Sequence, residues 1–105
     1  MIRGKKHKRT MATSISPAVR EAVERRDGGR CIFCKMPGRG EAHFISRAQG
    51  GIGSEENIIT VCRGCHDRMD NSQARPLMLK IAEAYLREHY PEWDKENLIY
   101  KKYSF

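Results

Sequence analysis

Two cysteine pairs of identical spacing, Cys31-x-x-Cys34 and Cys62-x-x-Cys65, set the tightest limit on what this chain can fold into. Each pair places two thiols on one turn of chain, close enough to share a tetrahedral ion at ~2.3 Å. The 105-residue length makes one domain the expectation. Only 39% of the residues are hydrophobic, which is little for a chain held together by core burial alone. Small domains of this kind often need a metal or disulfide staple. Disulfides inside such tight pairs staple poorly, and no secretory signal is visible. Four thiolates around one Zn²⁺ is therefore the better reading, in a reducing, cytoplasmic compartment. Four sulfurs close the coordination sphere, so the expected role is structural. Two matched pairs without a βαβ pattern argue against a redox dithiol. No apolar run approaches the ~20 residues of a membrane span, so no membrane partner is expected.

The charge is uneven. The net formal charge is +7, yet Arg3, Lys5, Lys6, Lys8 and Arg9 all fall in the first ten residues; the rest carries 15 Lys and Arg against 13 Asp and Glu, or +2. Residues 1–14 show no apolar periodicity and read as a flexible basic arm, with 15–105 as the single domain. Lys5, Lys6, Lys8 and Arg9 suit nucleic-acid phosphates through counterion release.

Ser16-Pro17 has the form of an N-cap followed by proline at the first helical position, and Asp27-Gly28-Gly29 ends that helix. Residues 31–38 read as a zinc knuckle, 41–46 ("EAHFIS") as a strand, 47–57 as a glycine-rich loop and 58–61 ("IITV") as a second strand. The spacing predicts a helix from Arg63 to about Asn71. Leu77, Met78, Ile81, Ala84, Tyr85, Leu86 and His89 recur near a 3.6 period and predict an amphipathic helix of roughly 77–90, ended by Pro91. The tail 97–105 reads as a strand. The fold class is α+β.

The strand-loop-strand-helix order places His43 in the first strand, Asn57 at the end of the loop and His66 directly after the last cysteine. With "RDGGRCIFC", "AHFISRAQGG" and "EENIITVCRGCH", this arrangement over residues 26–66 resembles the HNH endonuclease family, in its small phage-type or mobile-element-type branch. The resemblance implies a ββα-metal core flanked by an N-terminal and a C-terminal helix. It also implies a hydrolase that cuts DNA phosphodiester bonds to 5′-phosphate and 3′-hydroxyl ends. It gives His43 the role of general base, which a neutral imidazole can fill near pH 7. It gives His66 the role of ligand to a divalent ion that neutralises the leaving oxygen. Asn57 would bridge backbone groups across the loop and fix the angle of His43. Arg47, four residues after the base, can grip a phosphate bidentately. The two imidazoles would face each other across a small cleft.

One position departs from the family pattern. Many members carry Asp or His just before the general base as a further metal ligand, and here that position is Ala42. Asp70 stands four residues after His66 and shares its helix face, so it can complete the site; Glu41 is the second choice. Mixed nitrogen and carboxylate ligation suits Mn²⁺, Mg²⁺ or Ni²⁺. Double-stranded DNA is the implied partner, with phage packaging or recombination proteins among those the resemblance brings in. A monomer would nick, whereas a homodimer can break both strands. The competing reading is a non-catalytic zinc module that binds DNA through the basic arm; a protein-interaction zinc ribbon is a third.

Overall fold

The computed structural model describes residues 8–101, and of Lys8 the backbone only. Four helices and two strands run in the order α1 (Lys8–Thr13), α2 (Pro17–Arg26), β1 (Arg39–His43), β2 (Ile58–Val61), α3 (Arg63–Asn71) and α4 (Arg75–His89). Short 3-10 turns occupy Arg47–Gln49, Glu55–Asn57 and Lys95–Leu98. The architecture is α+β, with a ββα unit made by β1, β2 and α3. No helix among the described residues is long and apolar enough to cross a membrane.

Local signals account for most boundaries. The Ser16 hydroxyl accepts from Val19 N at 3.1 Å, capping α2, and Pro17 follows it. Gly28 and Gly29 both take positive φ, 68° and 70°, which ends α2 and turns the chain toward the cysteine knuckle. Four features differ from the sequence expectation. A helix, α1, covers residues 8–13 of the segment read as an unstructured arm. The first strand is Arg39–His43, where residues 41–46 were expected. The buried residues of α4 are Met78, Ala82 and Leu86, an i, i+4, i+8 stripe, while Leu77 and Ile81 are 63% and 45% exposed. Both apolar side chains fall outside the contact stripe once α3 packs against α4. The chain after Pro91 forms the 3-10 turn and a single bridge from Ile99 to Gly51 rather than a strand over 97–101; residues 102–105 lie outside the described part.

β1 and β2 pair antiparallel, with a bulge between Gly40 and Ala42. A two-stranded sheet has two open edges, and unpaired backbone groups there must find other partners. The outer edge of β2 is closed by the end of α2 and by the knuckle. Asp27 Oδ2 accepts from Thr60 N at 3.0 Å, Arg26 donates to Ile58 O at 2.8 Å, and Ile32 N donates to Thr60 O at 3.0 Å. Arg26 and Asp27 are themselves joined at 2.7 Å, their side chains 9% and 1% exposed. Tyr85 of α4 donates to Asp27 Oδ1, so the pair ties α2, β2 and α4 together.

Burial alone would raise the Asp27 pKa, but donation from Arg26, Tyr85 and Thr60 outweighs it and holds the carboxyl below its ordinary range. This contribution to stability is therefore complete above ~3.9 and is lost as pH falls through the depressed value. Removing the carboxylate leaves Arg26 charged and buried. Asp27→Ala is expected to destabilise the protein by ~3–5 kcal/mol, read as a shift in the urea midpoint. A change under ~1 kcal/mol would mean that solvent reaches the pair.

Candidate functional site

The four cysteines converge. Their Sγ atoms all lie within 4.8 Å of one another, and the Cys34 and Cys62 sulfurs are 3.5 Å apart. A tetrahedron with ~2.3 Å arms has edges of ~3.8 Å, so the cluster has the dimensions of a Zn²⁺ site. None of the four is in a disulfide. The loop from Cys31 carries Lys35 at φ 70°, and its closing bonds run from Lys35 N to Cys31 O and from Cys31 N to Met36 O. Cys62 is the N-cap of α3, and its sulfur accepts from Cys65 N at 3.3 Å. That N–H is the main reason the Cys62 thiol is lowered to about 7, part of the way to the thiolate a metal requires. Arg68, one turn on, donates to Cys65 Sγ at 3.1 Å and offsets negative charge on the cluster. The residues present fit a structural zinc.

The same cap fixes where His66 goes. It occupies the first turn of α3, beside the knot, and its Nε2 lies 3.4 Å from Asp70 Oδ2, one turn later. Arg75 at the start of α4 stands 3.8 Å from the other Asp70 oxygen. His66 and Asp70 line an open groove of about 680 Å³, with Arg39 and Glu41 from β1 and Arg63 and Asp67 from α3. Burial alternates along β1, so Arg39 and Glu41 are exposed while Gly40 and Ala42 are buried. Ala42 is wholly buried in the core. A longer side chain there would meet packed atoms, and the acid that reaches the groove from this strand is Glu41. Asp70 and Glu41, weighed as alternatives from the sequence, both line this groove. Among the described residues, the cysteine cluster is the single group of three or more Cys, His, Asp or Glu gathered tightly enough to hold an ion.

His43 is not part of the groove lining. It is half-buried, and its Nε2 lies 2.8 Å from the carbonyl oxygen of Thr13 at the end of α1. The expected cleft shared by two facing imidazoles is therefore not observed: the groove that His66 lines does not include His43, whose Nε2 edge is covered by the end of α1. Burial is the main cause that lowers the His43 pKa; the Thr13 carbonyl opposes this, and the charges of Arg47 and His66 add to it. The ring is neutral at pH 7 and able to take a proton.

Asn57 is fully buried. Its Oδ1 accepts from Ile45 N at 2.8 Å, and its Nδ2 donates to Ile45 O at 3.1 Å and Ile52 O at 2.8 Å. Asn57 O also accepts from Phe44 N at 2.7 Å, so one residue holds both ends of the loop that follows His43.

Residues 31–72 match the HNH endonuclease family. The matched HNH segment runs from Cys31 to the end of α3, so it contains the cysteine knot, His43, Asn57, His66 and Asp70. That match, over 42 of the 105 residues, points to a nuclease-type or DNA-binding function. No curated protein matches the chain. Arg47 lies inside the HNH segment, but its guanidinium is held by Thr13 Oγ1 and Ser14 Oγ, each at 3.3 Å. Arg9 donates to the carbonyls of Arg47 and Ala48 at 2.9 and 2.8 Å, so it is docked rather than free. Lys5 and Lys6, and the side chain of Lys8, lie outside the described residues. Sequence reasoning missed Arg39, Arg63 and Asp67 in the groove, Arg75 beside Asp70, and Thr13. The alternation of β1 could have indicated Arg39. Nothing in the sequence marks Thr13.

Proposed function

We propose that this protein is a metal-dependent endonuclease acting on double-stranded DNA. The observation that carries the reading is the His66–Asp70 pair in a groove shared with Glu41, set one turn from a cysteine knot within the HNH segment. His66 and Asp70 would hold a divalent ion, Mg²⁺ or Mn²⁺, with water and a DNA phosphate oxygen completing its sphere, and Glu41, which lines the same groove, would act on that shell through water. Bound there, the ion supplies charge neutralisation at the leaving 3′-oxygen. His43 takes a proton from water, and Asn57 keeps the following loop, and so His43, in place. Arg39 and Arg63 on the groove wall offer guanidinium groups to the phosphates on either side of the cut, while Arg47 would have to leave Thr13 and Ser14 to do the same. The cysteine knot takes no part beyond bracing the start of α3.

Supercoiled plasmid tests this reading. The zinc-loaded protein is expected to nick it with added Mg²⁺ or Mn²⁺ and to stop when that ion is withdrawn with zinc retained. His66→Ala and Asp70→Asn are each expected to raise the half-saturating Mn²⁺ concentration ~10- to 100-fold, with Glu41→Gln giving a smaller shift. An equal metal response in all four proteins would remove the groove as the metal site.

A second reading, a DNA-binding zinc module without catalysis, is favoured by one observation: His43 does not line the groove. Salt-sensitive retention of DNA with no nicking under any divalent ion would select it.

A further inference from the structure

The last four carbonyls of a helix have no partner within the helix and must find one elsewhere. In α1, two of them are met by residues around the site. Ala12 O accepts from Gly53 N at 2.9 Å, and Thr13 O accepts from His43 Nε2 at 2.8 Å. A carbonyl can only accept, so the proton on the neutral His43 ring must be on Nε2. The lone pair is then on Nδ1, which has no hydrogen-bond partner among the described residues. Thr13 is 2% exposed. Its hydroxyl donates to Arg9 O at 2.9 Å and receives Arg47 Nε at 3.3 Å. Arg9 clamps the far side through the carbonyls of Arg47 and Ala48. A Cβ on Gly53 would run into the Ser14 carbonyl, so the segment after α1 is seated closely on the loop that Asn57 organises.

We propose that α1, which precedes the HNH segment, is a positioning element of the active centre: the Thr13 carbonyl holds His43 as the Nε2–H tautomer and leaves Nδ1 as the proton acceptor. The inference rests on the nuclease reading for its catalytic meaning. When water gives a proton to Nδ1, Nε2 keeps its own, and the ring carries one positive charge. That charge forms against the negative end of α1, where a carbonyl dipole faces it. The hydroxide left behind attacks phosphorus, and the 3′-oxygen departs. Thr13 touches neither water nor DNA; it acts through His43.

The test reads the imidazole directly. Ring ¹⁵N chemical shifts of His43 are recorded on the full zinc-loaded chain, with the signal assigned by its loss in His43→Gln. Two variants unseat α1 by different routes: Gly53→Ala from the loop side and Arg9→Met from the helix side. The wild type is expected to show the Nε2–H tautomer alone. Both variants are expected to show a mixture of tautomers, and kcat for nicking is expected to fall ~10- to 100-fold with zinc content and far-ultraviolet circular dichroism unchanged. Should Gly53→Ala fail to fold, Arg9→Met carries the test. An Nδ1–H tautomer in the wild type would overturn the proposal. So would variants in which amide exchange shows α1 released while tautomer and kcat stay as they were. The spectra need no turnover, so a wild type that never nicks, yet loses its tautomer preference in the variants, sinks the nuclease reading and upholds the contact.

Discussion

His43→Ala is expected to slow nicking ~10²- to 10⁴-fold while leaving metal and DNA affinity nearly unchanged. The range is that of a single positioned base. A neutral imidazole takes the water proton as attack begins, and without it the proton must pass to bulk solvent. His43 is suited to the task because half-burial, Arg47 and His66 keep its pKa below the ordinary value of 6.5, with the Thr13 carbonyl limiting how far it falls. The sign follows from the active form. The base works when neutral, so activity persists at pH 6.5 and is lost only as pH falls through the lowered value. Single-turnover nicking across pH 5–8 measures this, and added imidazole is expected to restore part of the rate to His43→Ala. A variant that nicks at the wild-type rate would take the base role away from His43. An acid limb above 6.5 would contradict the burial argument.

Loss of the zinc is expected to unfold the domain. A structural Zn²⁺ in a four-thiolate site contributes ~10–16 kcal/mol at pH 7 in small zinc peptides, which matches or exceeds the whole stability of an ordinary domain at ~5–15 kcal/mol. Little here can replace it. The sheet has two strands, and the knot is what joins the knuckle after α2 to the first turn of α3. Cys65→Ser removes the most sheltered thiol on α3 together with the acceptor of Arg68. Both Cys65→Ser and prolonged chelation are expected to abolish the cooperative thermal transition and most of the helical circular dichroism. Zinc added back should restore the chelated wild type but not the variant. Because ligand thiols must deprotonate, zinc retention should fall steeply as pH drops. A chelated protein that kept a sharp transition would show that core packing alone sustains the fold. The two predictions separate cleanly: His43→Ala should keep the zinc and the fold, and Cys65→Ser should lose both.

Much of this arrangement was legible in local pattern. The paired cysteines, the Ser16-Pro17 cap, the run Ile58–Val61 and the 63–71 helix all depend on residues within a few positions of one another, where chain geometry leaves few choices. The i, i+4 relation of His66 and Asp70 is of the same kind. The extent of β1 was harder to read, because its bulge and the Asn57 contacts decide where pairing stops. The buried side of α4 was legible only in part: Met78 and Leu86 lie in it, as does Ala82, which the periodic set omits. Leu77 and Ile81 have the right character and period, but α3 covers a neighbouring stripe.

The sequence by itself determined a ββα unit braced by two cysteine pairs and placed His66 and Asp70 on one helix face, because spacing along a turn, helix or strand is set by bond geometry. Tertiary structure alone decided that Glu41 and not position 42 reaches the groove, that Arg9 of α1 grips the Arg47 and Ala48 carbonyls while Thr13 holds the Arg47 side chain, and that Thr13 meets His43 across 30 residues of chain. The last of these could not have been read in advance. The group involved is a backbone carbonyl, which every residue carries, and only packing selects the one that meets the ring.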